Sequence, residues 1–385
     1  MDQNQDSIKS WSGTAMTPRE RWRRVFHYQT VDRIPHYEFG YWSETYKEWH
    51  KQGLPKEIDN EAKANRFFGF DPRGGASPNI GWLYGFEHKV LEDKGDKIIV
   101  QGSDGVISEV FKDGTSTIPH YIKFPIENRE DWERFKDRLR IDDEARYPKN
   151  WDQIAERLRH VNHPIGVNVG SLYGWPRNWI GFENISLMLY DDYALVEEIV
   201  ETICELIVHT LQRALRTVEY DYGAGWEDMC FNNGPMISPA MFKKLLVPRY
   251  KRIADLLHRH GVDVIYTDCD GNINDVAGLW LEAGYNCMFP IEVRAGSDPV
   301  KLRKRFGKDI LLLGGVDKMA LIRGKSDILK ELKRLSPVVE EGGFIPHVDH
   351  RVPPDVPYEN YLYYLREKKA MLGFRTDELD IPGIT

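Results

Sequence analysis

The chain carries only four cysteines in 385 residues, Cys204, Cys230, Cys269 and Cys287, and no two are spaced as CxxC. That scarcity and scatter argue against a disulfide framework and fit reduced thiols. No apolar run reaches the 18 residues a membrane-spanning helix needs, so no membrane partner is expected. The opening MDQNQDSIKSWSGTAM has no apolar core of the signal-peptide kind, and a cytoplasmic location is the expectation. Positive charge is not in excess: the formal net charge is −8, which argues against nucleic acid as a partner. G-x-S-x-G, H-E-x-x-H and Walker-type loops are all missing, which removes the common serine hydrolase, metalloprotease and nucleotide-binding signatures.

What remains is an ordinary globular composition, 41% hydrophobic and 29% charged. Through the C-terminal half one unit recurs. A helical stretch closes at a glycine, a short apolar strand comes next, and the strand runs into polar residues. Arg252 to His260 closes at Gly261 and VDVIYT leads to Asp268-Cys269-Asp270; Leu279 to Ala283 closes at Gly284 and YNCMFPI leads to Glu292. Leu302 to Phe306 closes at Gly307 and DILLLGG leads to Asp317-Lys318; Ile328 to Glu341 precedes Gly342-Gly343 and FIP leads to His347-Val348-Asp349-His350. Glycine supplies the left-handed cap that ends a helix, and continuous apolar strands are those of a parallel sheet covered on both faces.

Earlier segments extend the scheme. RIPHYEFG (34–40) reads as a first strand, PIGVNVGS (164–171) as another, and Asp192 to Val218 as a long helix leading into Trp226-Glu227-Asp228. A strand near Arg66–Phe70 completes the count by default. KIIVQGSDGVISEVF alternates about Ser103-Asp104-Gly105 and predicts a β-hairpin inserted over 90–125. The expected fold is therefore a single α/β domain over 1–385, a (β/α)8 TIM barrel with an N-terminal helical extension over 1–33.

In such a barrel the active site lies at the C-terminal strand ends, where Glu227/Asp228, Asp268/Asp270, Glu292, Asp317 and Asp349 all fall. Converging carboxylates repel unless a cation or proton lies among them, so two readings stay open: a metal site, or carboxylates tuned for acid/base work. Helix capping is the plainer use of an aspartate after a strand; it is favoured for Asp298 and as good as catalysis for Asp317. The run Asp268-Cys269-Asp270-Gly271-Asn272 starts like a calcium loop, but the twelfth residue is Leu279 where a glutamate is required. Cys269 and Cys287 sit in strand contexts and read as small core residues. Aromatic residues gather near other tips, among them Tyr37, Tyr41, Trp42 and Tyr173, which are expected to line a substrate wall.

TPRERWRRVFHYQTVDRIPHYEF, the long helix into WEDM, and GGFIPHVDHRVPPDVPYENY together resemble the uroporphyrinogen decarboxylase superfamily over about Met16 to Leu372. The resemblance implies a (β/α)8 barrel. Decarboxylases of that superfamily carry an arginine-rich R-x-A-G-R motif. Here Tyr37-Glu38-Phe39-Gly40-Tyr41-Trp42 stands in its place, without arginine. The other branch comprises zinc methyltransferases working with corrinoid proteins, with H-x-C-G-N at a strand end and a later G-C-G-x-x-P. Asp268 and Asp270 stand at the first two ligand positions, and the spacing to Pro354-Asp355-Val356-Pro357 selects His350 over His347 for the third. With Glu292 these form the expected divalent-metal set, zinc first, with iron or manganese also open.

The resemblance thus implies a metal-dependent methyltransferase. It would exchange a methyl group between a small methylated substrate (a methoxyarene or methylamine-like compound) and a corrinoid held on a separate protein. Glu227 or Asp349 would handle the proton. A decarboxylase or lyase acting on a small acid without metal, with Asp268 stabilising a protonated intermediate, and a non-catalytic binding barrel are the alternatives. A homodimer is left open.

Overall fold

The computed structural model describes residues 13–114 and 119–381. The chain forms an α/β fold around a curled sheet of seven parallel strands. In chain order these are β1 (Gly74–Gly75), β2 (Ile165–Gly170), β3 (Tyr222–Trp226), β4 (Val264–Asp268), β5 (Cys287–Phe289), β6 (Leu311–Val316) and β7 (Phe344–Val348). Each pairs with its neighbour in sequence, and every residue of β6 and β7 is buried, as the continuous apolar runs predicted. The expected punctuation is present: Gly261, Gly284 and Gly342 have φ of 79°, 90° and 89°, and the long helix runs Tyr193–Thr217 with Asp192 capping Leu195 N at 3.2 Å.

Two expected strands are corrected. Arg66–Phe70 is not a strand: Glu61–Phe68 is a helix, capped by Asn60 and ended by left-handed Gly69. The segment 34–40 is extended but joins no ladder; its neighbour Tyr41 makes one isolated bridge to Val352. Side chains hold it instead. Val348 N donates to Glu38 Oε2 at 3.2 Å, His36 N donates to Asp71 Oδ2 at 2.7 Å, and Asp71 N returns a bond to His36 O at 2.9 Å. Eight paired strands are therefore not seen among the described residues.

The side chains of this segment and of Tyr41 beyond it divide between two sides, with the change of direction at Gly40, φ 132°. Phe39 faces Phe289 on β5, with ring centroids 4.7 Å apart. Glu38 and Tyr41 face the opposite way, onto the helix Tyr358–Met371. There Lys368 Nζ donates to Glu38 Oε1 and to Tyr37 O, with both charged side chains wholly buried, and Tyr364 Oη donates to Glu38 at 2.8 Å.

The expected hairpin is larger than a hairpin. Lys89–Asp93, Lys97–Gln101, Ile107–Phe111 and His120–Lys123 form a four-stranded antiparallel sheet, with Gly105 at φ 82° in the turn expected at Ser103-Asp104-Gly105. Of the N-terminal extension, residues 1–12 lie outside the described residues. The remainder forms the helix Pro18–Phe26, capped by Thr17, which buries Trp22, Val25 and Phe26. Among the described residues no helix is long and apolar enough to cross a membrane.

Candidate functional site

The β4 tip carries the most perturbed carboxyl of the strand ends. Asp268 is largely buried, and burial, reinforced by the charges of Asp270 and Asp228, pushes its pKa from 3.8 to about 8 against a smaller pull from Arg351. Among the described residues no donor is hydrogen-bonded to its carboxyl. It caps no helix: the next helix, Ala277–Glu282, has Val276 at its N-cap with no side-chain bond. Desolvation and like charges together therefore favour the protonated form of Asp268 at the strand tip.

Its neighbours are set by how the β3 and β4 loops pack. Glu227 N and Asp228 N both donate to Asp268 O, at 2.8 and 3.3 Å. Asp228 adopts φ 46°, and burial raises its carboxyl pKa, with Asp270 adding to the effect. Asp270 Oδ2 lies 3.0 Å from His350 Nε2, while its Oδ1 is buried without a partner. Trp42 stacks on His350 at 5.5 Å and 27°, and Phe39 meets the same ring edge-on at 5.4 Å. A cavity of about 430 Å3 opens beside them, lined by Cys230, Phe231, Asn232, Asp270 and Glu292 among others. The strand tips thus combine a largely buried acid whose pKa is raised, an Asp270–His350 hydrogen-bonded pair and an aromatic wall.

The four residues expected to ligate a metal are not gathered into one set. Asp270 and His350 meet, but Glu292 is tied to Lys318 Nζ at 2.9 Å and to Gly271 N at 3.1 Å. Among the described residues no three His, Cys, Asp or Glu side chains converge as ligands. As placed, this donor set does not fit a divalent ion, because the lysine already neutralises Glu292. Lys318 escaped the sequence reading although it directly follows Asp317 in a strand-tip cluster. Arg351, beside His350, escaped it too.

Of the two residues expected to handle protons, Glu227 is a fully engaged anchor. It accepts from Leu172 N at 2.7 Å, Tyr173 N and Gly174 N at 2.9 Å, Ser171 Oγ at 3.0 Å and Tyr250 Oη. Burial raises its pKa against those donors, and five bonds leave it holding the β2 loop. Asp349 is wholly buried and accepts from Val293 N at 2.9 Å and Lys318 N at 3.2 Å. Burial outweighs the nearby Lys318 charge and lifts its pKa to about 6. Asp317 and Asp298 do cap helices, accepting from Met319 N at 2.9 Å and Lys301 N at 3.0 Å.

The expected aromatic wall is divided. Trp42 stands at the mouth, and Tyr37 points inward beneath the Arg73 guanidinium, 5.4 Å from its ring. Tyr41 faces away, its hydroxyl 2.6 Å from Tyr361 Oη between helices. Tyr173 is buried beside Glu227, its pKa pushed up to about 12 by burial. Phe39 takes the place expected for Tyr41, because residues 39 and 41 fall on opposite sides of a bend at Gly40, whose φ is 132°. His347 is buried with Nδ1 2.8 Å from Val348 O, and burial pushes its pKa down to about 3.

The sequence profile of the uroporphyrinogen decarboxylase (URO-D) family matches residues 110–369. No curated protein matches the chain. Among solved structures, a methyltransferase from Methanosarcina mazei superposes with a TM-score of 0.59 over 92% of this chain and 98% of its own, at 13% identity. At that identity the likeness speaks for the fold. With the profile covering well over half of the chain, the protein belongs to the uroporphyrinogen decarboxylase family.

Proposed function

We propose that this chain is a methyltransferase that moves a methyl group between a small methylated substrate and a corrinoid carried on a separate protein. The reading rests on Asp268, a largely buried carboxyl at the strand tips whose pKa burial and like charges raise to about 8, next to the Asp270–His350 pair and the Trp42/Phe39 wall. The corrinoid supplies the methyl-accepting centre when its protein docks. The chain's own residues manage the other end of the bond. As the methyl group leaves oxygen or nitrogen, that atom gains electron density, and Asp268 delivers its proton there. Asp270, 3.0 Å from His350 Nε2, keeps the imidazole oriented beside the site. Trp42 and Phe39 present flat apolar faces to the body of a methoxyarene or methylammonium compound. A divalent ion would first have to displace Lys318 from Glu292, and metal titration of the purified protein measures whether one does. The structural likeness to a methyltransferase supports the reading at the level of fold.

The test is a single-turnover reaction of the protein, a reduced corrinoid protein and a panel of methoxyarenes and methylamines, followed by the absorbance of the methylated corrinoid. Formation with at least one donor is expected; failure across the panel contradicts the proposal.

A second reading draws on Arg351, whose guanidinium lies 5.5 Å over Phe39 and acts on Asp268. There it could hold a small carboxylate while Asp268 protonates the carbon that loses carbon dioxide. Carbon dioxide release from small acids, with no methyl transfer, would favour this decarboxylase.

A further inference from the structure

The tips of β3 and β4 carry two cysteines for which the methyl-transfer reading has no use. The loops bearing them are zipped together. Besides the bonds from Glu227 N and Asp228 N to Asp268 O, Met229 N reaches Cys269 Sγ at 3.3 Å and Asn272 N donates to Phe231 O at 2.9 Å. Gly271, at φ +85°, is what lets them close: a Cβ there would lie 2.5 Å from Cys230 O. Cys269 Sγ accepts from the backbone N of Met229, the residue directly before Cys230, and itself donates to Asp270 O at 3.4 Å, so the two cysteines are neighbours across the zipped loops. Both are reduced and almost wholly buried, at 5% and 1% exposure. Cys230 nevertheless lines the 430 Å3 cavity at the mouth, so a small solute reaches one member of the pair.

We propose that Cys230 and Cys269 form an oxidisable dithiol, a modification site at the barrel mouth that takes hydrogen peroxide as its oxidant. Cys230 sulfur, approached from the cavity, attacks one peroxide oxygen. The O–O bond breaks, an S–O bond forms, and the departing oxygen leaves as water with the thiol proton. Cys269 sulfur then attacks the Cys230 sulfenic acid; the S–S bond forms, the S–O bond breaks, and a second water leaves with the Cys269 proton. The two thiols lose one electron each, and the two peroxide oxygens take them up. Cys230 lines the cavity and Cys269 does not, which makes Cys230 the first to meet the oxidant and Cys269 the resolving partner. The product would tie the loop of Asp228 to that of Asp268 and Asp270. Cys204, on the long helix, and Cys287, on β5, are built-in controls of equal burial. The dithiol stands whatever reaction the mouth performs.

The test exposes the full-length reduced protein to a modest excess of hydrogen peroxide, alkylates it under denaturing conditions and maps it by non-reducing peptide mass spectrometry. Expected are loss of two of the four thiols, a cross-linked peptide pair containing Cys230 and Cys269 and lighter by two hydrogen atoms, and full recovery with dithiothreitol. In Cys269→Ser the cross-link should vanish and a dimedone adduct should appear on Cys230. The proposal is overturned if wild type keeps all four thiols, if Cys230 proceeds to sulfinic acid without a cross-link, or if Cys204 or Cys287 reacts first.

Discussion

Replacing Asp268 with asparagine keeps the shape of the side chain and removes its titration, so the variant isolates what the buried charge does to stability. The folded-state pKa is about 8 against an ordinary 3.8. Because the folded value is the higher one, folding takes up a proton between roughly pH 4 and pH 8, and stability falls as pH rises through that window. At about 1.4 kcal/mol per unit the full shift corresponds to roughly 6 kcal/mol. Water at the mouth screens part of this, and we take about half, near 3 kcal/mol, as the expected loss by pH 9. Asp268→Asn should therefore match wild type near pH 4 and exceed it by about 3 kcal/mol at pH 9. The assay is urea unfolding of both proteins at pH steps across that range, read as the difference in unfolding free energy. A helix cap behaves otherwise, costing about 1 kcal/mol when lost at any pH above its own titration. If Asp268→Asn is uniformly less stable than wild type, with no dependence on pH, the reasoning about this carboxyl fails.

Other consequences can be measured in the same way. Lys368→Met leaves Glu38 charged, buried and unpaired and should cost about 3–5 kcal/mol in urea unfolding, with partial recovery when Glu38→Gln is added. Gly314 sits at φ +102° with a would-be Cβ 2.0 Å from Pro290 O, so Gly314→Ala should lose at least about 2 kcal/mol or fail to fold, as circular dichroism melts would report. His350→Ala should abolish turnover while changing unfolding free energy by no more than roughly 2 kcal/mol, since its pair with Asp270 is partly exposed. Normal turnover in that variant would remove His350 from the site.

Much of this architecture was legible in the sequence because each C-terminal βα unit repeats the same physical instructions. A glycine ends the helix, a continuous apolar run makes a strand buried on both faces, and aspartates such as Asp298 and Asp317 cap the next helix. The segment 34–40 resisted reading because both of its faces are buried. His36, Glu38 and Tyr41 look solvent-facing by type, yet they are packed inside, and Glu38 is neutralised by Lys368, distant in sequence. The tip carboxylates were legible as strand-end residues, but their partners were not visible. Lys318 reaches Glu292 and His350 reaches Asp270 only through the curl of the sheet, so the four residues expected around one metal are divided between two pairs and a largely buried Asp268. Tyr41 was misplaced because the bend at Gly40, φ 132°, breaks the alternation that would otherwise put residues 39 and 41 on one face.

The central claim is that Asp268 supplies the proton when a methyl group leaves its substrate for a corrinoid protein. Its most direct test compares wild type and Asp268→Asn in single-turnover methyl transfer at pH 7, on the donor that wild type uses, with the methylated corrinoid as readout. Loss of a general acid should slow the variant by about a hundredfold or more, and the wild-type rate should fall as pH rises past about 8. Transfer by Asp268→Asn at the wild-type rate, or a wild-type rate that does not fall through that pH, would contradict the account.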